Sequence, residues 1–499
     1  MINRVLLTMS IATITLCVEA KQDPLRFNPD NYVVKTLVMP DGYEVTYKAY
    51  ESIFYVTNVE DSTYQTLNFY VPIDIKEGDE TPILLRTYVG GYMAAKAKDP
   101  SPTDATGRAL REGYAVCIPG ARGANSVVKQ NGGDIYTGVA PNGIVDLKAA
   151  IRYLHYNDDL MPASAKRIFS DGTSAGGAMS ALMGSTGDNI DYKPYLIKMG
   201  AAEASDAIFA SICYCPITDL NHADMAYEWL YSTTNSGIRA LNDDQKRLSQ
   251  ELASKFAAYI NSLKLLTPTG VILNDNNYRD YIKSFLIASA QRALQEGVDI
   301  PDTIGVEIYK EKRGPIGGDG RAAPSFGPGG MPPRFERRSD FVADIDLDKY
   351  LNYVASVTPL KTPPAFDQWG VLVDNSSPEN RVFGNEKGQP NNFTEFSLQK
   401  RMGNDGATLT KELTHRVKLM NPMNYIGDNK NNRCAKHWYI RHGARDRDIS
   451  FVMPINLATK LQNAGMNVNF ALPWNRPHSG DYNLDDLFKW IDMVLESER

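Results

Sequence analysis

A mostly parallel α/β sheet interrupted by a large, mainly helical insertion is the fold predicted by this 499-residue sequence. Three observations predict it. Short, continuous apolar runs alternate with helical patterns in the first part of the chain, as strands buried on both faces require. That alternation stops near residue 218 and resumes after 417. Within the first arm, Gly172-Thr173-Ser174-Ala175-Gly176-Gly177 sets a serine among glycines directly after the apolar Ile168 and Phe169.

The chain divides accordingly into an export segment at 1–20, a first sheet segment at 21–217, the insertion at 218–417 and a second sheet segment at 418–499. In the first twenty residues Arg4 precedes an apolar run from Val5 to Val18, and Val18-Glu19-Ala20 has the small residues a signal peptidase needs. The run is shorter than the ~20 residues that span a bilayer, so a cleaved secretory signal is expected, with a secreted or periplasmic product. Lipid attachment at Cys17 is the weaker alternative, because Leu16 is bulky where such a signal wants a small residue. No later stretch resembles a membrane span.

Strand candidates follow at 81–89 (TPILLRTYV), 114–119 (YAVCIP), 167–170 (RIFS) and 208–215 (IFASICYC). Ile144, Leu147, Ile151 and Leu154 recur at helical spacing and supply the crossover that parallel strands demand. In the insertion, polar helical stretches such as NDDQKRLSQELASKFAAYINSL replace the strand pattern, which reads as a lid domain. Residues 314–334 are dense in Gly and Pro and are expected to form a loop without a packed core. Strands resume at 436–443 (KHWYIRHG) and 467–474 (NVNFALPW). Leu457, Ala458 and Leu461 share the face of a helix closed near Gly465, and Leu484, Leu487, Phe488, Ile491 and Val494 make the inward stripe of the last one.

Composition sets the outer bounds. A chain 43% apolar and 22% charged is an ordinary globular protein, and a net charge of −6 without a basic patch argues against nucleic acid as a partner. Five cysteines are too few for a disulfide scaffold. Cys213 and Cys215 alternate around Tyr214 and are expected on one side of a buried strand, and the histidines show no metal-ligand spacing, so no metal is expected.

The serine motif carries the chemistry. In a GxSxG elbow the chain turns sharply from strand to helix and exposes the serine oxygen, while the glycines relieve crowding. This is the nucleophile mount of α/β-hydrolases, whose catalytic order along the chain is Ser, Asp or Glu, then His. Of the six histidines only His478 follows the last strand and precedes the final helix, so it is the candidate base. His155, His222, His415, His437 and His442 are assigned structural roles. In RHGARDRDIS, Asp446 and Asp448 both stand where the orienting acid belongs, and spacing alone does not choose between them. The oxyanion amides are expected from Ala175 and from the Gly90-Gly91 turn after the first of the runs above, with Gly91 ahead of Gly90.

With those residues in hand, the chain resembles the bacterial tannases, α/β-hydrolases that cleave galloyl esters to gallic acid. The likeness runs from about Asn31 to the C-terminus, on VGGYM at 89–93, SDGTSAGGAMSALMG at 170–184, YCPITDLNHADMAYEW at 214–229 and NPMNYIG at 421–427. ATKLQNAGMNVNFALPW at 458–474 and GDYNLDDLFKWID at 480–492 extend it. The resemblance implies that Asp446 is the triad acid and that Asp448, Lys361 in KTPPAFD and Glu379 in SSPENRVFG meet the galloyl hydroxyls. It implies a small-molecule galloyl ester or hydrolysable tannin as substrate and no cofactor. Ile449, Ser479 and the 314–334 segment depart from the family pattern. The same machinery in a feruloyl or other carboxylesterase, or in a non-catalytic polyphenol-binding protein, is the alternative.

Overall fold

The computed structural model describes residues 23–75, 80–310, 340–369, 377–428 and 430–498. The export segment 1–20 with Cys17, and the Gly/Pro-rich 314–334 segment, lie outside those residues. The strands are, in chain order, β1 (Val33–Val38), β2 (Glu44–Phe54), β3 (Thr66–Pro72), β4 (Ile83–Arg86), β5 (Ala115–Pro119), β6 (Val127–Gln130), β7 (Gly133–Tyr136), β8 (Ile168–Thr173), β9 (Ala210–Tyr214), β10 (Val306–Tyr309), β11 (Phe341–Ile345), β12 (His437–Arg441) and β13 (Asn467–Ala471). Nine of them form one sheet in the order β1-β2-β3-β5-β4-β8-β9-β12-β13. From β5 to β13 every pairing is parallel.

Those parallel strands are the expected apolar runs, and their burial explains the pattern: β4, β5, β9 and β12 are buried at every residue. The strands β1 to β3 were not among the expected runs, and they pair antiparallel at one end of the sheet. In β2 the signal is an alternation, with Val45, Tyr47 and Ala49 turned inward, because part of that strand has one solvated face.

Two apolar layers sandwich the sheet. One contains the crossover helix Asn142–Tyr156, with Ile144, Leu147, Ile151 and Leu154 all buried, and the helix Ala175–Ser185. The other is closed by the helices Ala105–Arg111 and Leu484–Ser497. Cys213 and Cys215 point into the first layer and Tyr214 into the second, as period-two side-chain alternation requires. Gly184 lets the helix after the elbow lie close to β12: a Cβ there would meet the Trp438 ring at 2.6 Å. This is the α/β-hydrolase architecture.

Between β9 and β12 the chain is mainly helical, with longer helices at Leu220–Tyr231, Asp243–Ser254, Tyr278–Gln295 and Leu347–Val357. It also contains the antiparallel pair β10–β11, for which no strand candidate was read in the sequence. These are strands of four and five residues, too short for a periodic signal. Three tyrosines of the inserted helices bond to the backbone of the loop after β12. Tyr231 donates its hydroxyl to the Asp446 carbonyl (3.1 Å), Tyr227 to that of Arg447 (2.7 Å) and Tyr350 to that of Ala444 (2.7 Å). Among the described residues, no helix is long and apolar enough to cross a membrane.

Candidate active site

Ser174 stands between β8 and the helix Ala175–Ser185 with φ 60° and ψ −121°, a left-handed backbone that an ordinary residue adopts only under constraint. The surroundings supply that constraint. Its N–H donates to the Tyr214 carbonyl on β9 (2.9 Å) and its own carbonyl accepts the N–H of Ile217 (3.4 Å). A Cβ on Gly172 would come within 2.2 Å of the Gly176 carbonyl oxygen, and one on Gly177 within 2.6 Å of the Tyr214 carbonyl oxygen. The turn closes only because both positions lack a side chain. The Ser174 side chain does not cap the helix it opens, and it faces a cavity instead.

His478, on the loop after β13, holds its Nδ1 2.7 Å from Asp446 Oδ2. The other Asp446 oxygen accepts the backbone N–H groups of Asp448 (2.8 Å) and Ile449 (3.3 Å). Asp446 is fully buried, and burial alone would raise its pKa, but the neighbouring His442 and the hydrogen bond from His478 hold the carboxyl well below its usual range. For His478 burial works downward, yet the Asp446 carboxylate wins and raises the imidazole above its ordinary value. The pair therefore carries a polarised N–H···O⁻ contact.

A cavity of about 570 Å³ is lined by Ser174 and His478 together with Gly91, Lys361, Glu379 and Asp448. Six residues singled out in the sequence thus line one cavity. Asp446 lies behind His478, and Ala175 is fully buried as the first residue of its helix, where the amides of the first turn lack intrahelical acceptors. Gly91 has φ +53°; a methyl there would touch the Pro378 ring at 3.6 Å. Lys361 places its ammonium 4.3 Å from the centre of the Phe366 ring, and its backbone N–H donates to the Tyr227 hydroxyl (3.0 Å). Burial raises the Glu379 carboxyl, with Lys361 opposing. Ile217, Ala365, Phe366, Pro378 and Ile449 give the cavity its apolar surface.

Several contributors had no sequence signal. Tyr482 donates its hydroxyl to the Pro477 carbonyl (2.7 Å), accepts the Ser479 N–H (3.2 Å) and lies 2.9 Å from Cys215 Sγ, so it clasps the chain on both sides of His478. His442, assigned a purely structural place beside its strand, is fully buried with Nδ1 3.6 Å from Asp446 Oδ2. The remaining histidines lie elsewhere: His155 on the Ala207 carbonyl, His222 on Asp219, His437 beside Glu498, and His415 exposed on its helix.

Two groups of donors come together closely enough to raise the question of a metal: Cys215, His442 and Asp446, and Asp446, Asp448 and His478. Both use the carboxylate already engaged by His478. Burial keeps the Cys215 thiol pKa well above its ordinary value. Both groups thus overlap the hydrogen-bonded His478–Asp446 pair. Geometrically, the arrangement is suited to acyl transfer: a hydroxyl, an acid-oriented imidazole and further polar groups line one cavity.

Comparison with known proteins agrees with this chemistry. The family described as BD-FAE matches residues 67–272. The crystal structure of Fusobacterium nucleatum tannase is 36% identical, covers 94% of this chain and 99% of its own, and has a TM-score of 0.79. A tannin acyl hydrolase in complex with ethyl gallate is 37% identical, with 94% and 98% coverage and a TM-score of 0.79. The native tannin acyl hydrolase from Lactobacillus plantarum stands at 36%, 94%, 98% and 0.79. No curated protein matches the chain.

Proposed function

The chain belongs to the bacterial tannase family of carboxylic ester hydrolases, and from that premise we propose that it hydrolyses galloyl esters through Ser174, His478 and Asp446 and releases gallic acid. Ser174 Oγ attacks the ester carbonyl carbon as its proton passes to His478 Nε2. Nδ1–H of His478 stays donated to Asp446, which fixes the tautomer and stabilises the imidazolium. The oxyanion takes the N–H groups of Gly91 and Ala175. When the tetrahedral intermediate collapses, the C–O bond to the alcohol breaks and His478 returns the proton to that oxygen. Water then adds to the galloyl-enzyme, giving its proton to His478. Cleavage of the ester to Ser174 restores the hydroxyl and frees the acid.

Recognition of the acyl group falls to the insertion, which we assign as the lid domain over 218–417. A galloyl ring presents three adjacent hydroxyls, and Glu379, Asp448 and Lys361 line the cavity with two carboxylates and an ammonium to meet them. A site built for hydroxyls leaves its own polar groups unpaired when they are missing, so methoxylated or bare benzoyl esters are poor substrates. Residues 1–20 direct export in this reading.

The observation that carries the proposal is the convergence of Gly91, Ser174, Lys361, Glu379, Asp448 and His478 on one cavity. Its test is the hydrolysis of methyl gallate, methyl ferulate and methyl benzoate by the wild type and by Ser174→Ala. The expected result is a strong preference for the gallate that Ser174→Ala abolishes; full activity in that variant overturns the nucleophile, and equal rates on the three esters overturn the specificity.

A further inference from the structure

We propose that His442 is a second imidazole on the candidate triad acid, a positioning residue whose Nδ1–H donates to Asp446 and fixes that carboxylate while His478 takes up and returns its proton. The inference rests on the Ser174–His478–Asp446 reading. Its starting point is an imbalance in the core. His442 is fully buried, and among the described residues neither ring nitrogen has a hydrogen-bond partner. A neutral imidazole must carry one N–H, and an unpaired buried donor is costly.

Two acceptors flank the ring, the Ile449 carbonyl and the Asp446 carboxylate, the latter 3.6 Å from Nδ1. A bare Nδ1 lone pair facing a carboxylate would be repelled, so the electrostatics select the tautomer with its proton on Nδ1. A closing of about 0.5 Å completes that hydrogen bond. The Phe451 ring packs edge-on at 5.5 Å and limits how the imidazole can turn away. Burial pushes His442 down to about 4, against the pull of Asp446, so in the neutral range it acts as a fixed donor.

The consequence is a shared carboxylate. Oδ2 serves His478 at 2.7 Å and His442 from the second side, and Oδ1 serves two backbone amides. A second donor drains charge from the atom that stabilises the imidazolium. Removing it leaves more negative charge facing His478 and raises that residue's pKa. The other ionisable groups facing this pair are Cys215 after β9, Tyr231 from the helix Leu220–Tyr231, Tyr482 and Asp448 from the flanking loops and Lys361 from the insertion. Burial raises the thiol and both phenols, which stay neutral over the range in which the histidine titrates.

The test uses the full chain and methyl gallate, with Ser174→Ala as a separate control on the nucleophile. In His442→Asn the amide nitrogen falls near the Nδ1 position and keeps the donor; His442→Gln reaches toward the other nitrogen, and His442→Phe has no donor. The expected result is a kcat about ten-fold lower in the Phe and Gln variants, an unchanged KM and an acid limb of kcat/KM moved to higher pH, with the Asn variant restoring both. Wild-type kcat and an unmoved limb in all three variants overturn the proposal, as does an Asn variant as impaired as the Gln one. If His442→Phe fails to fold, comparison of the Asn and Gln variants decides the matter, since the two differ only in reach.

Discussion

Gly172→Ala tests the elbow at its tightest point. The new methyl would lie 2.2 Å from the Gly176 carbonyl oxygen, 2.4 Å from the Gly176 carbonyl carbon and 3.0 Å from Thr87 Cγ2. The first of these is more than about 1 Å short of van der Waals contact. Two of the obstacles are backbone, so relief requires β8 and the first turn of the following helix to move apart by that amount. Ser174 sits between the two and moves with them. A misplacement of about 1 Å at a reacting group costs on the order of 10²-fold in rate, and forced overpacking costs about 1–3 kcal/mol of stability. We therefore expect kcat/KM on methyl gallate to fall by about 10²-fold, with the stability loss measured in parallel by urea unfolding. Gly133→Ala in β7 is the matched control, because the nearest atom to its methyl is 3.9 Å away; it should leave the rate within about two-fold. A Gly172→Ala enzyme as fast as that control would refute the argument that the elbow positions the nucleophile by close backbone approach.

Replacing Asp446 by Asn should lower kcat by about 10³–10⁴-fold, because the amide no longer enforces the tautomer of His478; steady-state kinetics on methyl gallate would show it, and a loss under ten-fold would remove Asp446 from the role of acid. Since His478 must be neutral to accept the Ser174 proton and its pKa is raised, activity is lost as pH falls through a value above the ordinary ~6.5; an acid limb of kcat/KM below 6.5 would contradict this. Lys361→Ala and Glu379→Gln should each reduce the preference for methyl gallate over methyl benzoate by about ten-fold or more while sparing the slower ester. Arg239 makes two hydrogen bonds to Glu228, at 2.7 and 2.8 Å, and both side chains are almost wholly buried. Arg239→Met strands that carboxylate and should cost about 3–5 kcal/mol in urea unfolding.

Legibility in the sequence followed the range of the interaction. The elbow could be read because its glycines and serine meet over six residues, and the parallel strands because complete burial imprints a continuous apolar run. The pair β10–β11 was too short for any period, and β2 carried its signal as an alternation along a single strand. His478 was singled out as the candidate base by its order in the chain, whereas the preference for Asp446 over Asp448 needed a likeness to known proteins. Lys361 and Glu379 read locally as ordinary surface charges, since nothing near them in sequence reports the cavity they line. His442 stands only four residues before Asp446, yet its approach depends on how the chain folds back after β12, and no pattern of residue types records such a bend.

Tyr227 brings together two tasks usually treated as separable. Its hydroxyl donates to the Arg447 carbonyl in the loop that carries Asp446 and accepts the backbone N–H of Lys361 at the cavity wall. In the proposed mechanism, the segment assigned to acyl-group recognition and the loop of the proposed orienting acid therefore hang from one phenol. Grafting a different insertion onto this sheet to change the preferred ester would disturb catalysis along with selectivity, so new specificities are more accessible by substitutions at Lys361, Glu379 and Asp448 than by exchange of the whole segment.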